Sequence, residues 1–114
     1  VAGANESSVS EYSVTRIKMG KIADLPVGGV IEKRILARRV AVFNCGGRLI
    51  GMESECKHMK ASLSTGTIEN GVIKCKWHGW RYDVESGECL NLKGARLRRY
   101  EVQIEGDDVY LLWG

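Results

Sequence analysis

Apolar and polar residues alternate in short runs along most of the chain, and turn-forming residues separate the runs. Tyr12 to Met19 alternates, with Tyr12, Val14, Arg16 and Lys18 on one face and Ser13, Thr15, Ile17 and Met19 on the other, which predicts a strand with no clean apolar face. Leu25-Pro26-Val27-Gly28 predicts a type I turn, proline being preset for its second position. Val30 to Leu36 and Arg39 to Asn44 follow as β-rich runs, and Gly46-Gly47 turns the chain tightly into Arg48 to Glu53. Thr67 to Glu69 and Val72 to Lys74 flank Asn70-Gly71, a strong hairpin signal because both residues tolerate positive φ. Arg81 to Val84 and Glu88 to Leu90 bracket a turn at Ser86-Gly87, and Asn91 to Arg96 reads as a looser connection. Leu97 to Ile104 and Val109 to Trp113 predict a last hairpin around Gly106-Asp107. No segment sustains a helical period, so the pattern predicts a small all-β sandwich or barrel.

Composition narrows the picture. At 114 residues the chain suits one domain with a modest core. Residues 1–11 are small and polar, a flexible tail in prospect, which leaves 12–114 as the domain. The net charge of +3 comes without a basic run, an aromatic platform or a groove-binding helix, which argues against nucleic acid as a partner. Apolar runs fall far short of the roughly 20 residues that cross a bilayer. With no basic-then-apolar start either, the expectation is a soluble cytoplasmic protein that does not engage membranes.

The candidate chemistry lies in two arms. Cys56-Lys57-His58 and Cys75-Lys76-Trp77-His78 hold both histidines and two of the four cysteines, sixteen residues apart. One thiol and one imidazole in each arm, at chelating spacing, point to a metal and a reducing compartment. Cys45 and Cys89 are left over. They read best as buried, inert thiols, with a disulfide between them the lesser alternative. A structural zinc ion also accepts two Cys and two His, but zinc fingers usually segregate the two ligand types, whereas each arm here mixes them.

This C-x-H-x16-C-x2-H pattern resembles the signature of Rieske [2Fe–2S] proteins, in which two histidines replace two cysteines on one iron. Ala61, Leu63 and Gly66 after the first arm, and Gly79, Tyr82 and Asp83 after the second, also stand where the family's wider pattern expects them. The resemblance implies a Rieske-type antiparallel β base with a small inserted cluster-binding subdomain, about residues 54–83. Its two loops would hold one [2Fe–2S] cluster through Cys56, His58, Cys75 and His78. Replacing thiolate by neutral imidazole makes the reducible iron less anionic, which raises the potential to about −150 to +300 mV, against about −400 mV for plant-type ferredoxins. The potential is expected to fall as pH rises, since oxidation makes the imidazoles more acidic.

Within the family, the disulfide-forming cysteines of the cytochrome bc type correspond here to Ala61 and Trp77. The serine that reaches a bridging sulfide corresponds to Trp80, while Tyr82 keeps a hydroxyl for a cysteine sulfur. Fewer donors to sulfur imply the low-potential class associated with oxygenases. Lys60 stands where glycine is common and Lys76 where proline is common. Lys57, Lys60, Lys76 and Trp77 make a candidate docking rim for an acidic partner, a plain solvated surface being the alternative. Terminal oxygenases of this kind need a further iron on two histidines and a carboxylate, and the cluster takes both histidines here. The chain therefore reads as a one-electron carrier between a flavin-dependent reductase and a terminal oxygenase, not itself an enzyme. The alternative is a Rieske domain or small subunit of a larger ring-hydroxylating oxidoreductase.

Overall fold

The structure, a computed structural model, describes residues 15–57, 60–77 and 79–113. The tail expected at 1–11, and the first residues of the strand expected from Tyr12, lie outside the described residues. Among the described residues ten strands run in chain order: β1 (Thr15–Lys21), β2 (Val30–Ile35), β3 (Arg38–Cys45), β4 (Arg48–Glu53), β5 (Thr67–Glu69), β6 (Val72–Lys74), β7 (Arg81–Asp83), β8 (Arg99–Tyr100), β9 (Val102–Glu105) and β10 (Asp108–Trp113). Single 3-10 turns, Ile22–Asp24 and Leu63–Thr65, follow β1 and precede β5. The strands form three sheets, ordered β9-β10-β1, β2-β3-β4-β8 and β5-β6-β7. Every pairing is antiparallel.

The layering follows from β3. Val40 to Asn44 are all buried, so this strand is covered on both faces, which is what an unbroken apolar run signifies. Val40 and Val42 pack with Met19, Leu25, Val109 and Leu111, towards the β9-β10-β1 sheet. Ala41 and Phe43 point the other way and pack with Ile50, Met52, Ile73 and Tyr82, towards the small sheet. The four-stranded sheet is therefore a middle layer, with a core on each side. Cys56 and Cys75 belong to the second core. Each large side chain buried there stabilises the fold by about 1.5–3 kcal/mol, so the thiols rest on a firm apolar floor.

Several expectations need correction. The first turn is Pro26 to Gly29, closed by Gly29 N–H to Pro26 O at 2.7 Å, one residue later than expected. Its third residue, Gly28, has φ +85°, the requirement of a type II turn. Leu97 to Ile104 is not one strand: β8 pairs with β4 and β9 pairs with β10, so the chain changes sheets at Glu101. Glu88 to Leu90 forms only single bridges, Glu88 to Arg96 and Cys89 to Tyr82. The β2–β3 hairpin turns at Leu36-Ala37, with Leu36 at φ +58° and 86% exposed. Nothing in the apolar pattern announces that turn, because leucine is a poor residue for it.

Candidate metal centre

Two loops rise from the second core, and backbone hydrogen bonds close each at its neck. In the first, Cys56 N–H donates to Ala61 O and Lys60 N–H donates to Cys56 O, both at 2.8 Å. Lys60 has φ +58°, the left-handed conformation that glycine adopts most easily. In the second, Cys75 N–H donates to Trp80 O at 2.7 Å, and the loop joins β6 to β7 with Lys74 opposite Arg81. Gly66 lets the loops meet: a Cβ there would lie 2.1 Å from the carbonyl oxygen of Lys74.

Cys56 and Cys75 are each only 1% exposed. Their sulfurs are neighbours, since the Cys56 side chain hydrogen-bonds that of Cys75. Burial pushes the Cys75 thiol up and Cys56 adds to this, while a backbone N–H at Trp77 works the other way. Two neighbouring buried sulfurs, with the ionisation of Cys75 opposed by burial, suit a soft, positively charged partner, which removes the penalty on the thiolate. An iron–sulfur centre fits that donor set. His58 and His78 lie outside the described residues, and among the described residues no three His, Cys, Asp or Glu side chains gather.

Tyr82 is fully buried beneath the first loop. Its hydroxyl accepts Lys57 N–H at 2.9 Å and lies 3.4 Å from Cys56 Sγ, which leaves its own proton for the sulfur. Burial foremost, and then Cys56, hold this phenol well above the ordinary tyrosine range, so it stays a donor. Trp80 contributes its carbonyl to the loop neck and packs its half-buried side chain against the core.

The rim divides between the loops. Lys57 lies 3.7 Å from Glu53, so part of its charge is answered within the chain. Lys60 is exposed on the same loop. On the other, Lys76 Nζ sits 5.5 Å from the ring centroid of Trp77, which is 55% exposed. All four cysteines are free thiols. Cys89 is buried as expected, but Cys45 is only half-buried at the end of β3, and burial still pushes its thiol up.

Sequence reasoning missed one group beneath the first loop. Glu32 Oε2 accepts Ser54 Oγ–H at 2.7 Å and Ser62 Oγ–H at 2.6 Å. The available signal was strand alternation, which puts Glu32 on the same face as Val30; a charge on a face that packs against core demands partners.

Comparison with known proteins agrees with this geometry. The family profile of the Rieske [2Fe-2S] domain matches residues 15–101. The 3-phenylpropionate/cinnamic acid dioxygenase ferredoxin subunit of Shigella boydii is 31% identical over 100 residues, 86% of this chain and 93% of that one. Aminopyrrolnitrin oxygenase PrnD of Pseudomonas fluorescens is 44% identical over 55 residues, 48% of this chain but only 15% of the oxygenase. A solved complex of reduced oxygenase and oxidized ferredoxin in carbazole 1,9a-dioxygenase superposes with a TM-score of 0.75 at 29% identity, covering 85% of this chain and 92% of that one.

Proposed function

The chain belongs to the Rieske [2Fe–2S] domain family, and we propose that it works as the ferredoxin component of an oxygenase system, taking one electron from a flavin-dependent reductase and giving it to a terminal oxygenase. The observation that carries this reading is the meeting of two buried thiols, Cys56 and Cys75, at the necks of two surface loops. When bound there, the cluster supplies a one-electron couple. Cys56 and Cys75 anchor it on the core side, and His58 and His78 complete the ligand set. Residues about 54–83 serve as the cluster-binding subdomain.

The chain's own residues suit relay more than conversion of a substrate. Tyr82 stabilises negative charge on the Cys56 sulfur, and the apolar floor excludes water from the thiol side. Trp77 stands exposed beside Lys76 on the second loop, a flat cationic tip that fits an acidic partner surface. The trade of serine for Trp80 supports a potential at the low end of the Rieske range. Free thiols at Cys45 and Cys89 suit a reducing compartment such as the cytoplasm. Among the described residues no helix is long and apolar enough to cross a membrane.

Local likeness to an oxygenase favours a second reading, in which the chain acts as the Rieske part of a larger ring-hydroxylating assembly. Both readings are tested on the isolated chain. About two irons and two sulfides per chain, a Rieske-type EPR signal on reduction, and a lower potential in His78→Cys are expected. One zinc without sulfide, or an unchanged potential in His78→Cys, would end the ligand assignment. For the role, stopped-flow reoxidation of the reduced chain by separately purified terminal oxygenases is decisive. Fast second-order transfer with turnover marks a free carrier, and transfer seen only in a stable co-purifying assembly marks the subunit.

A further inference from the structure

One carboxylate ties the metal centre to the base of the fold. Glu32 stands on β2, at the edge of the middle sheet, opposite Ala41, and Ala41 is opposite Met52. Ala41 and Met52 face the core that carries Cys56 and Cys75, so Glu32 projects to that side as well. There its Oε2 accepts both Ser54 Oγ–H and Ser62 Oγ–H. Ser54 lies two residues before Cys56 and Ser62 six after it, so a single oxygen holds both ends of the first loop.

Of the two serines, Ser54 depends on Glu32 more, because Ser62 Oγ also meets Ser64 Oγ. Ser54 is wholly buried; its N–H donates to Arg39 O at 2.9 Å and its carbonyl accepts Leu63 N–H at 2.7 Å. Ser62 Oγ spends its proton on Glu32. It therefore accepts from Ser64 at both the hydroxyl (2.6 Å) and the N–H (3.0 Å), which caps the 3-10 turn at Leu63–Thr65. Between the two serines, Cys56 N–H bonds Ala61 O. The loop is thus closed by the backbone, joined to β3 through Ser54 N–H, and moored to β2 by a side chain. An ionised acceptor makes each mooring bond stronger than a neutral one.

We propose that Glu32 is a positioning residue of the metal centre, the clamp that fixes the segment from Ser54 to Ser62 on the base sheet and so fixes where Cys56 presents its sulfur. This rests on the assignment of Cys56 as a ligand. Without the clamp, the buried Ser54 hydroxyl and the half-buried Ser62 hydroxyl lose their shared acceptor, and only backbone bonds and packing hold the loop. The base sheet keeps its ladders and its core, so the damage falls on the site and not on the fold.

The test uses the holoprotein with Glu32→Ala, Glu32→Gln, Ser62→Ala and Cys56→Ala, reading iron release to a chelator, the EPR line shape of the reduced state and thermal melting. Losing an acceptor shared by two hydroxyls predicts iron release about tenfold faster in Glu32→Ala, with a broadened EPR signal. Glu32→Gln retains an acceptor oxygen and restores release to within about twofold of the parent protein, and Ser62→Ala falls between. Parental release and line shape in Glu32→Ala would overturn the proposal, as would a Gln variant no better than Ala. Should Glu32→Ala fail to fold, Ser62→Ala decides: it must release iron faster than Glu32→Gln, and parental behaviour overturns the clamp. Cys56→Ala separates the premise, because a full cluster in that variant removes Cys56 as a ligand whatever Glu32 does.

Discussion

Tyr82 Oη stands 3.4 Å from Cys56 Sγ while accepting the backbone N–H of Lys57 at 2.9 Å, so one buried phenol orders a sulfur and the peptide that follows it. A hydrogen bond to sulfur favours the extra electron. If the bond is worth about 0.5–1.5 kcal/mol, its loss in Tyr82→Phe lowers the one-electron potential by roughly 20–60 mV, at 59 mV per tenfold. Redox titration monitored by EPR checks this. An unchanged potential would mean that the phenol's proton is not directed at the sulfur.

Gly66 separates the two loops by the width of a missing methyl. Because a Cβ there would fall 2.1 Å from the Lys74 carbonyl, Gly66→Ala forces β6 and the 3-10 turn apart. Overpacking of this kind costs about 1–3 kcal/mol. The expected outcome is a lower melting temperature together with lower iron content, measured on protein purified without reconstitution.

Leu36 and Lys60 both carry φ +58°. A left-handed residue other than glycine costs roughly 1–2 kcal/mol, and Leu36, at 86% exposure, loses little burial when trimmed. Leu36→Gly is therefore expected to raise stability in denaturant unfolding by about 1 kcal/mol with the potential unmoved. Lys60→Gly gives a similar gain at the site itself, which explains why the family places glycine there.

At the other end of the molecule, Asp108 pairs with Lys21 at 2.9 Å and Lys18 at 3.4 Å, joining β10 to β1. The Lys21 hydrogen bond first, then the lysine charges, hold the Asp108 carboxyl below its ordinary value of 3.8. A depressed carboxyl stabilises the fold fully above the unfolded pKa and loses that contribution as pH falls through the folded one. Asp108→Asn is thus expected to melt below the parent near neutrality, with the gap closing below about pH 4. Added salt should narrow the gap at every pH. A gap that widens in acid would contradict the pairing.

Trp77 and Lys76 test the docking rim. Trp77→Ala removes an exposed ring and Lys76→Glu reverses a charge, and neither side chain supplies a ligand. Electron transfer to the oxygenase is expected to slow by about tenfold in second-order rate. The potential should shift far less than that change requires, and the salt dependence should weaken in the Lys76 variant. Equal rates in stopped flow would return the rim to plain solvated surface.

Much of this was legible in residue order because it depends on local chemistry. Asn70-Gly71 made its hairpin, Arg48 to Glu53 formed a strand with those bounds, and Tyr82 reached a cysteine sulfur as the motif implied. Spacing identified Cys56 and Cys75 as a pair, and two thiols so far apart gather only when a fold brings them together. Where local signals competed, the reading slipped. Leu97 to Ile104 looked like one strand because nothing in the alternation marks Glu101 as the point where the chain changes sheets.

By itself, the sequence determined the strand-rich character, the C-x-H-x16-C-x2-H pattern, the lack of the extra cysteines at Ala61 and Trp77, and the family. These depend on side-chain periodicity and on residue types at fixed offsets. Only the tertiary structure decided that β3 is a middle layer with a core on each face, that Gly66 and Lys74 touch, and that Glu32 moors Ser54 and Ser62. Each of these joins residues that are not chain neighbours through a contact between strands or loops. Register and layering, which set such contacts, emerge only when the sheets pack and every buried hydroxyl and charge must find its partner.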